Sequence, residues 1–278
     1  MITTQPSLAA QRWDRALTSC AAQKRSALGL YLPVGYPNLR VSRRALHKVA
    51  QHVHFLKLGI PHTDPHLDGR EIRGAVAQSL QGGCTMRDVF ITARDLADAT
   101  DVALIAMSYW KPITHYGVQD FAKHASASGI GAVLVADLPI DSPAEADWLR
   151  AAQKAGLYTI PLIPQTASCD HLAAIAHSTR GPVYLAARSG QSGSIGPLPS
   201  GLPDRIRGVR AATGRRVLVG RGLSNPRVAA QAAVFADAVV IGSAVIRCMR
   251  TQPASAAQAA EKASMDFANT VRRAHQLR

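Results

Sequence analysis

Short apolar runs alternate with longer alanine-rich amphipathic stretches along nearly the whole chain, and that alternation constrains the fold more than any other feature. The runs are Leu28–Val34, Val53–Ile60, Val102–Ser108, Gly131–Asp137, Tyr158–Ile163, Val183–Ala187, Arg216–Gly220 and Ala238–Ile241. Between them, residues 40–51, 85–98, 117–128, 143–155, 168–178, 202–212 and 225–234 read as helices. A strand followed by a helix, repeated eight times, predicts an α/β fold closed into a parallel (β/α)8 barrel, the TIM barrel, rather than an open sheet. Residues 1–27 read as an extra N-terminal helix capping the bottom of the barrel. Residues 246–278 read as closing C-terminal helices with a break near Pro253. No linker composition, low-complexity tract or long-period repeat interrupts the pattern, so a single domain over 1–278 is expected.

Composition agrees with that reading. Aromatic residues make up only 5% of the chain while hydrophobic residues make up 47%, which suits Ala-rich helices around a buried sheet of aliphatic strands. The net charge of +14 raises the question of nucleic acid. The cations are scattered or paired, as in Arg43-Arg44, Arg215-Arg216 and Arg272-Arg273, and no aromatic residues interleave them to make a stacking platform. They read as a solvated arginine-rich surface, equally suited to an acidic or phosphorylated small substrate; no nucleic-acid partner is expected. Cys20, Cys84, Cys169 and Cys248 are far apart and lack metal-ligand spacing, so reduced thiols are expected and no metal or other cofactor. Residues 1–27 contain Arg12, Asp14 and Arg15 and no apolar core of a signal peptide. No run approaches the ~18 apolar residues of a membrane span. A cytoplasmic protein is expected.

In a barrel of this kind the chemistry sits at the C-terminal ends of the strands. Two segments there look like a grip for phosphate: Val219-Gly220-Arg221-Gly222-Leu223-Ser224-Asn225-Pro226 and Ile241-Gly242-Ser243-Ala244. Glycines let backbone N–H groups approach an anion, and a following helix N-terminus adds favourable partial charge. The plainer alternative is two tight turns with Ser224 or Asn225 capping a helix.

The motifs at these ends resemble those of the tryptophan synthase alpha subunit family. Phe55-Leu56-Lys57-Leu58-Gly59-Ile60-Pro61-His62-Thr63-Asp64-Pro65-His66-Leu67-Asp68-Gly69 is similar to E-L-G-x-P-x-S-D-P-x-A-D-G, with Lys57 at the Glu position. Leu28 to Pro37 resembles a compressed F-x-P-F-x-x-x-G-D-P and contains Tyr31. Leu134 to Pro139 resembles V-x-D-L-P, and Tyr184 to Gly193 resembles Y-x-x-S-R-x-G-x-T-G with Ser192 for the Thr. Met107 to Ile113 resembles M-x-Y-Y-N-P-I, with Trp110 and Lys111 for the Tyr-Asn. The resemblance spans roughly residues 10–270. It implies a carbon–carbon lyase that cleaves indole-3-glycerol phosphate, or a related phosphorylated aldol, in a retro-aldol reaction. It implies catalytic roles at Lys57, Asp68 and Tyr184, and substrate or phosphate contacts from Tyr31, Gly193, Gly222, Gly242 and Ser243. Arg221, where the pattern is usually apolar, either adds a charge-assisted contact to phosphate or points outward. Asp64, Pro65, Arg188 and Ser192 fall in the loops through which the family communicates with a beta-type subunit.

Lys57 leaves the reaction open. In the family the Glu moves protons at C3 of the indole and at the side-chain hydroxyl, while the carboxylate matched by Asp68 serves the ring nitrogen. Strand alternation puts Phe55, Lys57 and Gly59 on one face, so Lys57 points into the barrel mouth. It is then an acid/base whose pKa is lowered by an apolar pocket, a Schiff-base nucleophile, or the ion-pair partner of Asp68 in an inactive site. Glu71 more simply stabilises a helix N-terminus than replaces the missing carboxylate. His62 and His66 flank Asp64 in a loop where Pro65 opposes the helix that would let them share a metal. Two functions follow: a lyase or aldolase with altered acid/base chemistry, or a catalytically silent alpha-like subunit that binds a phosphorylated ligand and regulates a PLP-dependent beta-type partner.

Overall fold

The computed structural model describes residues 5–163, 166–188 and 196–274. Its strands are β1 (Ala27–Pro33), β2 (Phe55–Gly59), β3 (Ala103–Ser108), β4 (Ala132–Val135), β5 (Tyr158–Thr159), β6 (Leu162–Ile163), β7 (Val183–Ala186), β8 (Val217–Gly220) and β9 (Ala238–Ile241). All paired strands run parallel, in the order β5-β4-β3-β2-β1-β9-β8-β7-β6. The central strands are buried along their whole length, as continuous aliphatic sequence dictates when helices cover one side and side chains fill the other.

The helices are α1 (Leu8–Ala22), α2 (Leu39–Ala50), α3 (Arg70–Gln81), α4 (Met86–Ala99), α5 (Trp110–Tyr116), α6 (Val118–Ala127), α7 (Pro143–Lys154), α8 (Cys169–Ser178), α9 (Leu202–Thr213), α10 (Pro226–Ala233), α11 (Ser243–Thr251) and α12 (Ala256–Ala274). Short polar residues set many of their starts. Asn38, Thr85, Ser142, Ser168 and Asn225 each accept a backbone N–H of the first turn, and Thr85 with Asp88 forms a reciprocal capping box. Asn225, rather than Ser224, caps α10. A 3-10 turn at Pro253–Ser255 separates α11 from α12.

Helix α1 turns Ala10, Trp13, Leu17 and Cys20 inward, a three-four spacing that forms one stripe. Trp13 packs on Phe55 with ring centroids 4.6 Å apart and donates its indole N–H to the Leu104 carbonyl. Helix α1 thereby packs over the start of β2 and β3.

Three expectations need correction. The predicted strand Tyr158–Ile163 is two strands, β5 and β6, giving nine strands where eight were expected. Pro161 lacks an N–H and interrupts the ladder. Ile160 still donates to the Val133 carbonyl, and the Pro161 carbonyl accepts the Tyr184 N–H, so the split segment bonds both of its neighbours. Helix α3 was expected only as the helix N-terminus that Glu71 stabilises, and α5 was not expected. Gly74 interrupts the first pattern, and Pro112 inside the seven-residue α5 disguises the second.

Candidate active site

A cavity opens at the C-terminal ends of the strands, where barrels of this kind carry their chemistry. Lys57, Asp68, Tyr31, Tyr184, Arg221, Gly222, Gly242 and Ser243 line it, among an apolar wall that includes Leu134, Leu162 and Val240. The strand register explains the first meeting: Tyr31 of β1 stands beside Lys57 of β2. Lys57 Nζ lies 5.0 Å from the centre of the Tyr31 ring and 4.5 Å from that of Tyr184. The two rings need glycine neighbours. A Cβ at Gly59 would stand 2.5 Å from the Tyr31 hydroxyl, and one at Gly220 only 1.8 Å from the Tyr184 hydroxyl.

Lys57 is 4% exposed. Burial lowers its pKa from 10.5 to about 7; Arg221 adds to that fall while Asp68 opposes it. Asp68 lines the same cavity and acts on Lys57 through its charge. Ring faces offer a desolvated ammonium partial compensation, but leave it easier to deprotonate than a carboxylate partner would. Tyr31 and Tyr184 are themselves held protonated: burial raises both phenols, and Asp68 raises them further.

Asp68 is held from the third strand's end. A turn bonds its N–H to the Pro65 carbonyl at 2.9 Å, and the Tyr109 hydroxyl donates to Oδ2 at 3.0 Å while accepting the Leu67 N–H at 3.1 Å. Burial and Asp68 push the Tyr109 phenol up, so it remains a donor. Tyr109 was not among the expected site residues, although it lies in the Met107–Ile113 motif. The His62 and His66 rings pack against it at 5.4 and 5.1 Å. Burial lowers the His62 pKa.

Arg221 lines the cavity rather than pointing outward. Its backbone is left-handed, with φ 59°, and its guanidinium donates to the Leu67 carbonyl, tying the end of β8 to the loop that carries Asp68.

At the ends of β8 and β9 the lining includes backbone. Gly242 precedes α11, whose first turn has no side-chain cap; its carbonyl accepts the Val245 N–H at 2.9 Å. Gly222 has φ 96°, a conformation only glycine adopts freely, and Ser243 supplies a hydroxyl. Gly193 and Ser192 lie outside the described residues. Arg188 donates to the carbonyls of Gly196 and Pro197 and packs against Gly222. Asp64 is exposed at the rim with Pro65 beside it, half-buried. Glu71 is occupied elsewhere: it pairs with Arg250 at 3.2 Å and Arg247 at 3.9 Å, joining α3 to α11.

The family of the tryptophan synthase alpha chain matches residues 17–275. The chain belongs to the tryptophan synthase alpha chain family. Among its relatives, the tryptophan synthase alpha chain of Streptomyces avermitilis is 37% identical over 235 residues, covering 84% of each chain. That of Streptomyces coelicolor is 36% identical over 249 residues, covering 89% of this chain and 91% of the relative. Among solved structures, tryptophan synthase subunit alpha from Legionella pneumophila superposes with a TM-score of 0.86 at 26% identity, covering 94% of this chain and 98% of that one. Mycobacterium tuberculosis tryptophan synthase gives 0.85 at 29% identity, covering 96% and 99%. No helix among the described residues is long and apolar enough to cross a membrane.

Proposed function

We propose that this chain is an alpha-type carbon–carbon lyase of tryptophan biosynthesis or of a related route, acting on indole-3-glycerol phosphate or a similar phosphorylated aldol, with acid/base chemistry altered at Lys57. The observation that carries the reading is that two sets of groups line one cavity: a buried amine with a hydrogen-bonded carboxylate, and glycine backbone with a helix N-terminus. The second set suits a phosphate. The first suits proton transfer, because Lys57 near neutrality both accepts and donates. Lys57, Asp68 and Tyr184 are assigned the chemistry; Tyr31, Gly222, Gly242 and Ser243 the substrate. Arg221 is assigned a positioning part, holding the Asp68 loop. We read the nine strands as a (β/α)8 barrel in one domain whose fifth stave is broken at Ile160-Pro161.

A second reading is supported by the exposed Asp64 and by Arg188, both in loops where the resembled pattern meets a beta-type subunit. In it the chain binds phosphorylated ligand without turnover and regulates a PLP-dependent beta-type partner.

The purified chain and a Lys57→Glu variant, each incubated with indole-3-glycerol phosphate while indole and glyceraldehyde 3-phosphate are followed by chromatography, separate the readings. Release by the wild type supports the lyase. Release by the variant alone means that the pocket is intact and the natural reaction is another. Tight phosphate binding without release by either protein favours the regulatory subunit.

A further inference from the structure

We propose that Lys57 is the amine that captures a substrate carbonyl as an imine, and that the pocket takes a phosphorylated β-hydroxy ketone or β-hydroxy aldehyde. The inference rests on the reading of the cavity as a site for phosphorylated aldols and names the substrate class within it.

Four observations support it. Lys57 is the one lysine among the described residues that is buried; Lys24, Lys48, Lys111, Lys123, Lys154 and Lys262 are exposed or half-exposed. Lys57 lines a cavity that also presents Leu134, Leu162 and Val240 beside Asp68. A nucleophilic amine must be neutral, and burial is what makes a lysine so near pH 7. The rings of Tyr31 and Tyr184 flank the nitrogen at 5.0 and 4.5 Å. A protonated imine is also a cation, so the same ring faces that hold the ammonium hold it.

The chemistry balances without oxidant or metal. Neutral Nζ adds to the carbonyl carbon, and the carbonyl oxygen takes up protons and leaves as water, giving a protonated imine. The bond between the carbons α and β to that imine breaks, its electron pair forming an enamine and neutralising the nitrogen. The β-hydroxyl proton passes to Asp68, and the β-carbon fragment leaves as an aldehyde. Asp68 returns the proton to the α-carbon, and one water hydrolyses the imine and frees Lys57. The glycine set holds the phosphate throughout.

The test is reductive trapping. The full chain is incubated with dihydroxyacetone phosphate and sodium cyanoborohydride between pH 5.5 and 9.5, and labelling is read by intact mass and by peptide mapping. We expect one equivalent on Lys57, half-maximal near pH 7 and slowed by inorganic phosphate. It should form at least about tenfold faster than on the exposed lysines. Unphosphorylated dihydroxyacetone should label Lys57 more slowly. A Lys57→Arg variant should lose the label; because site mapping and the pH profile are read on the wild type, the test survives if that variant does not fold. Label spread evenly over the surface lysines, or none on Lys57, overturns the inference. If indole-3-glycerol phosphate is cleaved while Lys57 stays unlabelled, the imine falls and the lyase reading stands. If Lys57 is trapped while that substrate is left intact, the imine stands and indole-3-glycerol phosphate is removed as substrate.

Discussion

The two sets of groups that line the cavity are built from different materials. The set at β8 and β9 is backbone: Gly222, Gly242 and the uncapped first turn of α11. The set at β1, β2 and β7 is side chain: Tyr31, Lys57 and Tyr184, with Asp68 held by Tyr109. A backbone site recognises an anion through shape and dipoles that no single side chain supplies. A side-chain site changes its chemistry with one residue. Lys57 stands among the second, where the resembled pattern calls for Glu, whereas Gly222, Gly242 and Ser243 keep the pattern. Holding a ligand's phosphate and choosing what happens to its carbons are therefore separable in this fold.

The comparison breaks most easily at Lys57. Lys57→Met should lower turnover of whichever phosphorylated aldol is processed by roughly 10²–10⁴-fold, the usual worth of an acid/base or nucleophilic side chain, while inorganic phosphate binding measured by calorimetry stays within about twofold. Equal loss of both would show that the two sets are not independent. The same variant should raise stability. The Lys57 pKa is depressed in the folded state, from 10.5 to about 7, so between those values the unfolded chain binds the extra proton and stability rises with pH. The cost of burying the amine is fully present below pH 7. Urea unfolding at pH 6 should therefore show K57M more stable, on the order of 4 kcal/mol, with the gain shrinking as pH climbs towards 10.5. A constant difference across pH would mean that Lys57 is not deprotonated by folding.

A smaller effect sharpens the Asp68 side. Tyr109→Phe removes the 3.0 Å bond to Oδ2 and should cost about 1.5–3 kcal/mol of stability or transition-state binding, as hydrogen bonds to charged groups do. It should lower kcat more than it raises KM. In the glycine set, Gly222→Ala meets both the φ of 96° and the Arg188 side chain 2.6 Å from the new Cβ. It should weaken phosphate binding about tenfold, or ~1.4 kcal/mol, and leave kcat unchanged. Smallest of all, Glu71→Gln loses only partly exposed ion pairs and should shift stability by less than ~1 kcal/mol without touching turnover.

The alternation of strands and helices was plain in the sequence because buried parallel strands are aliphatic throughout and their helices begin at Asn, Ser or Thr. Proline and glycine hid the rest: Pro161 divides a strand that hydrophobicity alone joins, and Gly74 and Pro112 obscure α3 and α5. In the site, strand alternation sufficed to aim Lys57 into the cavity. It was silent on what surrounds the amine, because Tyr184 comes from the far side of the sheet and only the fold brings it there. The sequence was equally silent on the reach of Arg221 to the Leu67 carbonyl, which depends on a left-handed backbone that no local pattern announces. Tyr109 was in a quoted motif, but its hydrogen bond crosses from β3 to the loop after β2.

The division of the sheet at Ile160-Pro161 gives the molecule an uneven seam. β1 and β2 are laced by five paired positions, whereas β5 and β6 each hold their neighbour by two. Local opening follows the thinnest lacing, and this seam runs past Leu162 in the cavity wall to Tyr184, whose ring covers Lys57. A molecule seated between the amine and the glycines leans on that wall. Its arrival should then be visible far from any contact with solvent, as slowed hydrogen exchange at the two amides that stitch the seam, those of Ile160 and Tyr184.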